Sequence, residues 1–419
     1  MKTLPKPWGR FRRFWQKLGP GLITGASDDD PSGIATYSQA GARFGPRLLW
    51  TALVTLPLMV SVQAMCARIG MVTGRGLMAT IKRYYPRYVL LLILLVSFPS
   101  IILNIGADIA GMGAVANLLV PRVPAFVFSV LFTGLLMYAI VIWNYRRIST
   151  VLKWLCITLF TYLLIPFLTR TDWPSALRDT LLPNIQWNRD FLLALVGILG
   201  TTISPYLFFW QASMEVEEKL EQELIVDKQI IRDMETDVRG GMVFSNLVCF
   251  FIILTTGTVL YQAGIHRIDT VQEAAEALRP LAGQGAYALF ALGVVGTGFL
   301  AIPVLGGSLS YMMAEFFNWQ EGMNKKFFEA RGFYITLLVS LGVGLLILFT
   351  RITAVQALIY TAVLYGLVAP VLVAIILHIC NNSKIMGEYT NNRWQNFWGI
   401  LTFLVMAGAA IALLVLSFG

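Results

Sequence analysis

The sequence predicts an all-α polytopic membrane protein with about eleven transmembrane helices. Hydrophobic residues make up 57% of its 419 residues and charged residues only 13%, about half the charged share of a typical soluble domain. Apolar stretches of about 20 residues, long enough to cross the hydrocarbon of a bilayer, recur along the whole chain. The connections between them are short, so we expect no separate soluble domain.

The predicted spans share an apolar run of about membrane-crossing length. They cover residues 18–42, 47–67, 88–117, 123–143, 149–168, 191–213, 241–261, 285–313, 332–350, 353–379 and 396–418. The first run is too long for a cleavable signal, and no small-residue cleavage site follows it. We therefore expect a basic amino-terminal tail, residues 1–17, and a single transmembrane domain, residues 18–419.

Lysine and arginine residues predict the orientation of these spans. With the amino terminus placed in the cytoplasm, the inner segments hold 23 of the 32 Lys and Arg residues, as the positive-inside rule requires. We expect a multi-pass protein of the cytoplasmic membrane, surrounded by lipid. The net charge of +9 then reflects topology, and a nucleic-acid partner is not expected because no folded domain presents a basic face.

Two connecting segments also predict local structure. Residues 217–238 place Leu220, Leu224, Ile231 and Met234 at helical intervals, which predicts one amphipathic helix on the cytoplasmic side. On the outer side, Thr270 and Glu273 form a capping-box pattern. That pattern predicts a short helix ending near Pro280.

The first span is interrupted by the sequence "GASDDDPSGIATY". Each central Asp in a lipid-facing helix costs roughly 2.5–3.5 kcal/mol, so Asp28, Asp29 and Asp30 require a polar cavity, a cation or protonation. Pro31 removes a backbone donor and disfavours helical geometry at Asp30, while Gly33 tolerates almost any dihedral angles. The helix should break between Asp30 and Gly33.

A second interruption, in "LVGILGTTISPYLFFWQAS", lies five spans later. Its Ser204-Pro205 pair breaks span 6 near the middle, as Pro31 breaks span 1. Two broken spans at matching positions are the best sequence indication of an inverted-repeat transporter, with the substrate site where the breaks meet. The repeats would cover about residues 18–168 and 191–379, with 396–418 as an extra helix. The helix ends before each break carry partial negative charge, which favours a cation.

The three acids of the first break differ in their predicted roles. Asp30 is adjacent to the break and is the favoured cation ligand. Asp28 and Asp29 point elsewhere around the helix, so that each either lines a vestibule or ion pathway or faces water at a cavity mouth.

At this point the residues resemble a known family, the NRAMP divalent-metal transporters. The stretch "GPGLITGASDDDPSGIATYSQAGARFGPRLLW" is similar to their first helix, which has the pattern G-P-G, D-P-G-N and Q-A-G-A. The likeness continues in "NIGADIAGMGAVANLL" and "ILGTTISPYLFFWQAS" and covers nearly the whole chain. It implies a five-plus-five inverted repeat of the LeuT type, with helices 1 and 6 broken and one extra helix.

The resemblance also implies a ligand set, and this chain departs from it in the first break. In the family's D-P-G-N, the Asp and Asn side chains both bind the metal. Asp30 and Pro31 match that pattern, whereas Ser32 and Gly33 stand at the other two positions.

Spans 6 and 3 depart from the family pattern as well. The family has an Ala whose carbonyl binds metal, a Met thioether, a Pro and two His residues in span 6. The corresponding residues here are Thr201, Ser204, Pro205, Tyr206 and Gln211. In span 3 the family's Asp is kept as Asp108, while Gly111 replaces its Glu. The implied metal ligands are thus Asp30, Gly33, Thr201 and Ser204, with Asp108, Tyr206 and Gln211 on the vestibule or ion pathway.

The replacement of a thioether by the hydroxyl of Ser204 leaves only hard oxygen donors. Soft thioethers favour late transition metals, whereas oxygen ligands suit Mg²⁺ or Mn²⁺. A wider pocket suits Mg²⁺, which sheds its waters reluctantly. We expect import of Mg²⁺, and of Mn²⁺ too, by alternating access. The chain is then similar to the NRAMP-related magnesium transporters; the transported ion is the substrate, and no resident cofactor is expected.

Proton coupling in the family uses titratable groups that this chain lacks. Its two histidines, His266 and His378, are far from both breaks in the sequence, and His is the side chain that titrates near neutral pH. We therefore expect transport driven by the membrane potential without protons. The alternative is a proton-coupled Mn²⁺/Fe²⁺ transporter of the NRAMP type.

Three other classes fit the sequence less well. An amino-acid or other organic-cation carrier would need helix amino ends free to bind a carboxylate, which the acids here would repel. A hydrolase would need a nucleophile–base pair or a His-rich metal site, so an enzyme is not expected. A purely structural scaffold would have no use for an acid beside a helix break.

Overall fold

The computed structural model describes residues 19–143, 160–169 and 171–418, and every regular element in these ranges is helical. The predicted amino-terminal tail, residues 1–17, and most of the predicted span 149–168 lie outside the described residues. The all-α prediction is confirmed.

The first half of the chain contains two long helices, a broken first span and shorter connecting helices. Its elements are α1 (Pro20–Asp28), α2 (Pro31–Phe44), α3 (Leu49–Thr73), α4 (Leu77–Tyr84), α5 (Arg87–Leu119), α6 (Ala125–Ile142), α7 (Phe160–Leu168) and α8 (Trp173–Leu181). A short 3-10 helix, Gly45–Leu48, joins α2 to α3.

The second half repeats the pattern of a broken span followed by long helices. Its elements are α9 (Arg189–Thr202), α10 (Pro205–Glu221), α11 (Lys228–Val259), α12 (Val271–Glu276), α13 (Arg279–Ala282), α14 (Ala286–Phe317), α15 (Arg331–Gly344), α16 (Ala354–Asn381), α17 (Ser383–Met386) and α18 (Arg393–Phe418). Short 3-10 helices cover Gly283–Gly285, Leu345–Phe349 and Gly387–Tyr389.

Nine helical stretches in the described part of the chain are long and apolar enough to cross a membrane. One of them, Pro31–Thr73, contains α2, the 3-10 turn and α3, which the sequence assigned to two spans. Since span 5 is described only from Phe160 onward, the number eleven stays a prediction, as do the boundaries of the two repeats. Spans 1 and 6 are both broken, as predicted, but the first break covers Asp29 and Asp30 and Gly33 is already helical, because Pro31 is tolerated in the first turn of the new helix.

The connecting segment 217–238 does not form the single amphipathic helix that its periodicity predicted. Helix α10 ends at Glu221 and α11 begins at Lys228. The side chain of Asp227 accepts hydrogen bonds from the backbone N–H groups of Gln229 and Ile230, both at 2.8 Å. This amino-terminal cap starts a new helix. The helical spacing of apolar residues in 217–238 therefore extends over two separate helices.

The connection between α11 and α14 contains the predicted capping box. The Thr270 side chain accepts from the backbone of Glu273, whose carboxylate accepts from the backbone of Thr270. The helix ends at Glu276, earlier than predicted, and Pro280 lies in the first turn of α13. Proline is tolerated there because first-turn N–H groups have no intrahelical partner.

Two glycine contacts hold the broken spans against their neighbours. A Cβ placed on Gly25 of α1 would lie 2.1 Å from the carbonyl oxygen of Gly241 on α11. A Cβ on Gly200 of α9 would lie 2.0 Å from the carbonyl oxygen of Ala362 on α16. Helix backbones can approach this closely only where a side chain is missing. Close backbone packing therefore holds α1 against α11 and α9 against α16, next to the two breaks.

A candidate cation site at two helix breaks

The first break lies between Asp28 and Pro31. Helix α1 ends at Asp28, and Asp30 adopts extended geometry with φ −70° and ψ 172°. Its carboxylate oxygen Oδ1 accepts a 2.7 Å hydrogen bond from the backbone N–H of Gly33. Asp30 thus caps α2 with one oxygen, which leaves the other oxygen for a different partner.

The second break has the same construction. Helix α9 ends at Thr202, and Ser204 is extended, with φ −74° and ψ 124°, before Pro205 starts α10. The Ser204 hydroxyl donates to the carbonyl oxygen of Thr201 at 2.7 Å. It therefore satisfies one of the carbonyls that the break frees.

The two breaks meet at Gly33. A Cβ on this residue would lie 3.2 Å from the hydroxyl oxygen of Thr201 and 3.3 Å from the carbonyl oxygen of Asp28. The Tyr206 hydroxyl donates to the carbonyl oxygen of Ser27 at 2.8 Å, which ties the start of α10 to the end of α1. Three of the implied ligand positions, Asp30, Gly33 and Thr201, are thus adjacent to one another.

Helix α5 brings a second carboxylate to the first break. The Asn104 side chain donates through Nδ2 to Asp30 Oδ2 at 2.9 Å and to Asp108 Oδ2 at 3.4 Å. One amide group therefore links the acid beside the break to Asp108, the acid that the sequence assigned to the ion pathway.

The other two acids of the first break face α11 and the second break. The Ser245 hydroxyl donates to Asp28 Oδ2 at 2.9 Å and to Asp29 Oδ1 at 3.4 Å. The Ser204 hydroxyl also lies 3.4 Å from Asp28 Oδ1. Ser204, an implied ligand, therefore contacts Asp28 rather than Asp30.

All four carboxyl groups are sealed from solvent. The exposed fraction is 2% for Asp30 and 0% for Asp28, Asp29 and Asp108. Neither Asp28 nor Asp29 faces water at a cavity mouth in this conformation. A cation can reach these groups only after the surrounding helices move apart.

A line of polar side chains leads from the second break along α10. Gln211 accepts a hydrogen bond from the hydroxyl of Thr24 and donates through Nε2 to Glu215 at 2.8 Å. Beyond them, the Asp237 carboxylate accepts from the backbone N–H groups of Gly19 at 3.0 Å and Gly21 at 2.7 Å. The predicted pathway residue Gln211 thus lies between the breaks and the amino end of α1.

No three His, Cys, Asp or Glu side chains in the described ranges are grouped so as to hold a metal ion. A cation at the breaks would therefore be held by one or two carboxylates together with hydroxyl, amide or backbone carbonyl oxygens. Such a set of oxygen ligands suits a hard divalent cation.

Sequence reasoning missed Asn104 and Ser245. Asn104 precedes Asp108 by four residues, so that both lie on one helical face, and a polar residue inside an apolar span is itself a signal. Ser245 gave no such signal, because a single hydroxyl in a spanning helix commonly bonds a backbone carbonyl.

Comparison with known proteins identifies the family. The profile of the family described as "Natural resistance-associated macrophage protein-like" (Nramp) matches residues 21–416. The chain belongs to the Nramp family. A relative from Caldanaerobacter subterraneus subsp. tengcongensis, named divalent metal cation transporter MntH, is 23% identical over 395 residues, which cover 93% of this chain and 90% of the relative.

Solved structures agree with the fold. The structure of the Eremococcus coleocola manganese transporter is similar, with a TM-score of 0.75 at 18% identity, covering 98% of this chain and 88% of that one. The structure of MhsT in complex with L-phenylalanine has a TM-score of 0.60 at 13% identity, covering 96% of this chain and 98% of that one. The predicted LeuT-type fold is confirmed, and the chain is a multi-pass membrane transporter of the Nramp family.

Proposed function

We propose that this Nramp protein imports a divalent metal cation across the cytoplasmic membrane by alternating access, with its amino terminus in the cytoplasm. The observation that carries the proposal is the buried pair Asp30 and Asp108, joined through Asn104 beside two helix breaks that meet at Gly33. The Lys and Arg distribution supports the orientation.

Two carboxyl groups in a site without solvent are either protonated or paired with a cation. An unpaired buried charge is costly, and a dication bound by several oxygens balances two charges at once. The complete burial of Asp30 and Asp108 supports a closed state between outward and inward openings. Loading and release would each require helices to move on one side of the site.

The names of the relatives support Mn²⁺ as the substrate. They are called divalent metal cation transporters and, for the Eremococcus coleocola protein, a manganese transporter. Oxygen ligands bind Mn²⁺ well. A proton-coupled Mn²⁺ importer is therefore the first candidate, with the buried carboxyl groups of Asp30 and Asp108 as the available proton carriers at the site.

Mg²⁺ transport without protons is the second candidate, and a specific observation favours it. Ser204 and Gly33 bring no sulfur or nitrogen donor to the breaks, and the two histidines lie against Tyr85 and Tyr261, away from them. The membrane potential supplies about 2.3 kcal/mol per charge per 100 mV, or roughly 4.6 kcal/mol for a dication.

A flux assay in proteoliposomes tests the proposal. It compares uptake of Mn²⁺, Mg²⁺ and Ca²⁺ with and without a pH gradient, in the wild type, in Asp30→Ala and in Asp233→Ala, which removes an exposed carboxylate from α11. We expect loss of divalent uptake only in Asp30→Ala. Mn²⁺ uptake with internal acidification selects the first candidate, and Mg²⁺ uptake that ignores the pH gradient selects the second. Unchanged uptake in Asp30→Ala would rule out this site.

A further inference from the structure

The side chain of Asn104 occupies an unusual place between two acids. Its Nδ2 donates to Asp30 at 2.9 Å and to Asp108 at 3.4 Å, and it is fully buried. We propose that Asn104 is a ligand of the transported cation. Its amide nitrogen holds the two carboxylates together when no cation is bound, and its amide oxygen binds the cation when one is loaded. This inference rests on the proposed function, since it concerns the same site.

Unpaired oxygen atoms beside this amide point to a ligand. Asn104 Oδ1 and Asp108 Oδ1 are both buried and have no hydrogen-bond partner among the described residues. A buried polar atom without a partner is energetically unfavourable. Two such oxygens lie on neighbouring turns of α5, next to Asp30. They are therefore positioned to bind a cation.

The amide group is a natural substitute for that cation. Two carboxylates that share one buried location repel each other unless positive charge lies between them. The N–H groups of an amide supply partial positive charge, but a divalent ion supplies far more. On loading, a rotation of the amide by about 180° exchanges the nitrogen for the oxygen, because the two ends are nearly the same in size.

The breaks themselves leave room for a ligand from α5. Gly33 has no side chain, and the Ser204 hydroxyl already donates to the carbonyl oxygen of Thr201 at 2.7 Å. Asp30 Oδ1 is likewise occupied by the backbone N–H of Gly33. Asn104 and Asp108 therefore each bring an unpaired oxygen to the group that contains Asp30 Oδ2.

The first test measures cation binding to purified protein by calorimetry, with Mn²⁺ and Mg²⁺ as probes. Asn104→Leu keeps the approximate size and removes both amide atoms. If the amide oxygen is a ligand, the Kd rises by about tenfold or more, a magnitude typical for lost support at a metal site. If Asn104 only held the carboxylates together, its loss would destabilise the unloaded state and lower the Kd. An unchanged or lowered Kd overturns the inference.

Asn117→Leu is the matched control on the same helix. Its amide donates to the backbone carbonyl of Val123 at 2.8 Å, at the end of α5 and away from the acids. We expect its Kd to equal that of the wild type. A rise equal to that of Asn104→Leu would overturn the inference, because the effect would then reflect general loosening of α5.

A second variant keeps the inference testable if Asn104→Leu does not fold. Asn104→Met places a thioether at this position, and a soft ligand favours Cd²⁺ over Mg²⁺. We expect the ratio of Cd²⁺ to Mg²⁺ affinity to rise by tenfold or more. An unchanged ratio would mean that the side chain at 104 does not contact the ion.

Wild-type controls separate this inference from the proposed function. Divalent binding and uptake by the wild type, together with an unchanged Kd in Asn104→Leu, remove Asn104 from the site and leave the proposed function intact. Absence of divalent binding and uptake in the wild type overturns the proposed function and this inference with it.

Discussion

The carboxylate of Asp237 on α11 accepts a 2.7 Å hydrogen bond from the backbone N–H of Gly21 on α1. Its other oxygen accepts from Gly19 at 3.0 Å. Helix amino ends carry partial positive charge and free N–H groups, so Asp237 caps α1 from a neighbouring helix. This contact lies at the end of α1 opposite to the acids, where a gate on the amino-terminal side of the site would open.

Removal of that cap should favour opening. In a background without the native cysteines, we expect Asp237→Ala to increase labelling of Ser27→Cys by a polar thiol reagent several-fold, because two charge-assisted hydrogen bonds worth about 1.5–3 kcal/mol each are lost. Asp233→Ala, one helical turn away and exposed, should label at the parental rate. Equal labelling in both variants would show that the cap does not hold the gate closed.

Neighbouring glycines on α11 should respond in opposite ways to alanine. A Cβ on Gly241 would lie 2.0 Å from the carbonyl oxygen of Gly21, whereas a Cβ on Gly240 meets nothing within 4 Å. We expect Gly241→Ala to lower the melting temperature by several degrees and to reduce uptake. Gly240→Ala should keep or raise the melting temperature, since alanine is favoured in helices by about 1 kcal/mol. Thermal melts of both variants measure these shifts. Similar changes in melting temperature for Gly241→Ala and Gly240→Ala would contradict the prediction.

A thioether at the second break should change metal preference. Ser204 lies 3.4 Å from Asp28 and donates to the carbonyl oxygen of Thr201, in the helix before the break. We expect Ser204→Met to raise Cd²⁺ uptake relative to Mg²⁺ uptake, because sulfur favours softer ions. The ratio of the two uptake rates in the same vesicles is the measurement. A ratio equal to that of the wild type would remove Ser204 from selectivity.

Glu321, in the connection between α14 and α15, should make stability depend on pH. Burial and the nearby carboxylates of Glu315 and Glu217 raise the pKa of Glu321 from 4.5 to about 9. Between pH 4.5 and pH 9, the folded state therefore keeps a proton on Glu321 that the unfolded state has lost. The free energy of unfolding falls as pH rises through this range.

Replacement by a neutral amide should remove this dependence. We expect thermal melts of Glu321→Gln between pH 5 and pH 9 to show a smaller decline than those of the wild type. The exposed control Glu223→Gln should decline as the wild type does. A wild-type decline that persists in Glu321→Gln would assign the effect to another group.

The sequence predicted the features that depend on local chemistry. Pro31 and Pro205 break their helices through their own missing N–H groups and their effect on the preceding residue. The second break occurs where the sequence placed it, whereas the first covers Asp29 and Asp30, slightly before the predicted Asp30 to Gly33. The apolar spans follow in the same way from length and composition. These features need no knowledge of which helices are neighbours.

The contacts between helices could not be predicted in this way. The link from Asn104 to Asp30 joins residues that are 74 positions apart, and the link from Ser245 to Asp28 spans 217 positions. Periodicity also misled at residues 217–238, where the cap at Asp227 starts a second helix within an unbroken apolar pattern. Which hydroxyl or amide meets an acid is decided by tertiary packing.

The nine-residue helix α1 touches α11 backbone to backbone at Gly25, and this contact can serve as a fulcrum. With a rise of about 1.5 Å per residue, Gly25 lies roughly 7.5 Å from the capped end at Pro20 and roughly 4.5 Å from Asp28. A rigid rod that swings outward by about 3 Å at the capped end therefore shifts Asp28 by roughly 2 Å in the opposite sense. One rotation about Gly25 would thus open the capped end of α1 and displace Asp28 from its hydrogen bond with Ser245 at the same moment.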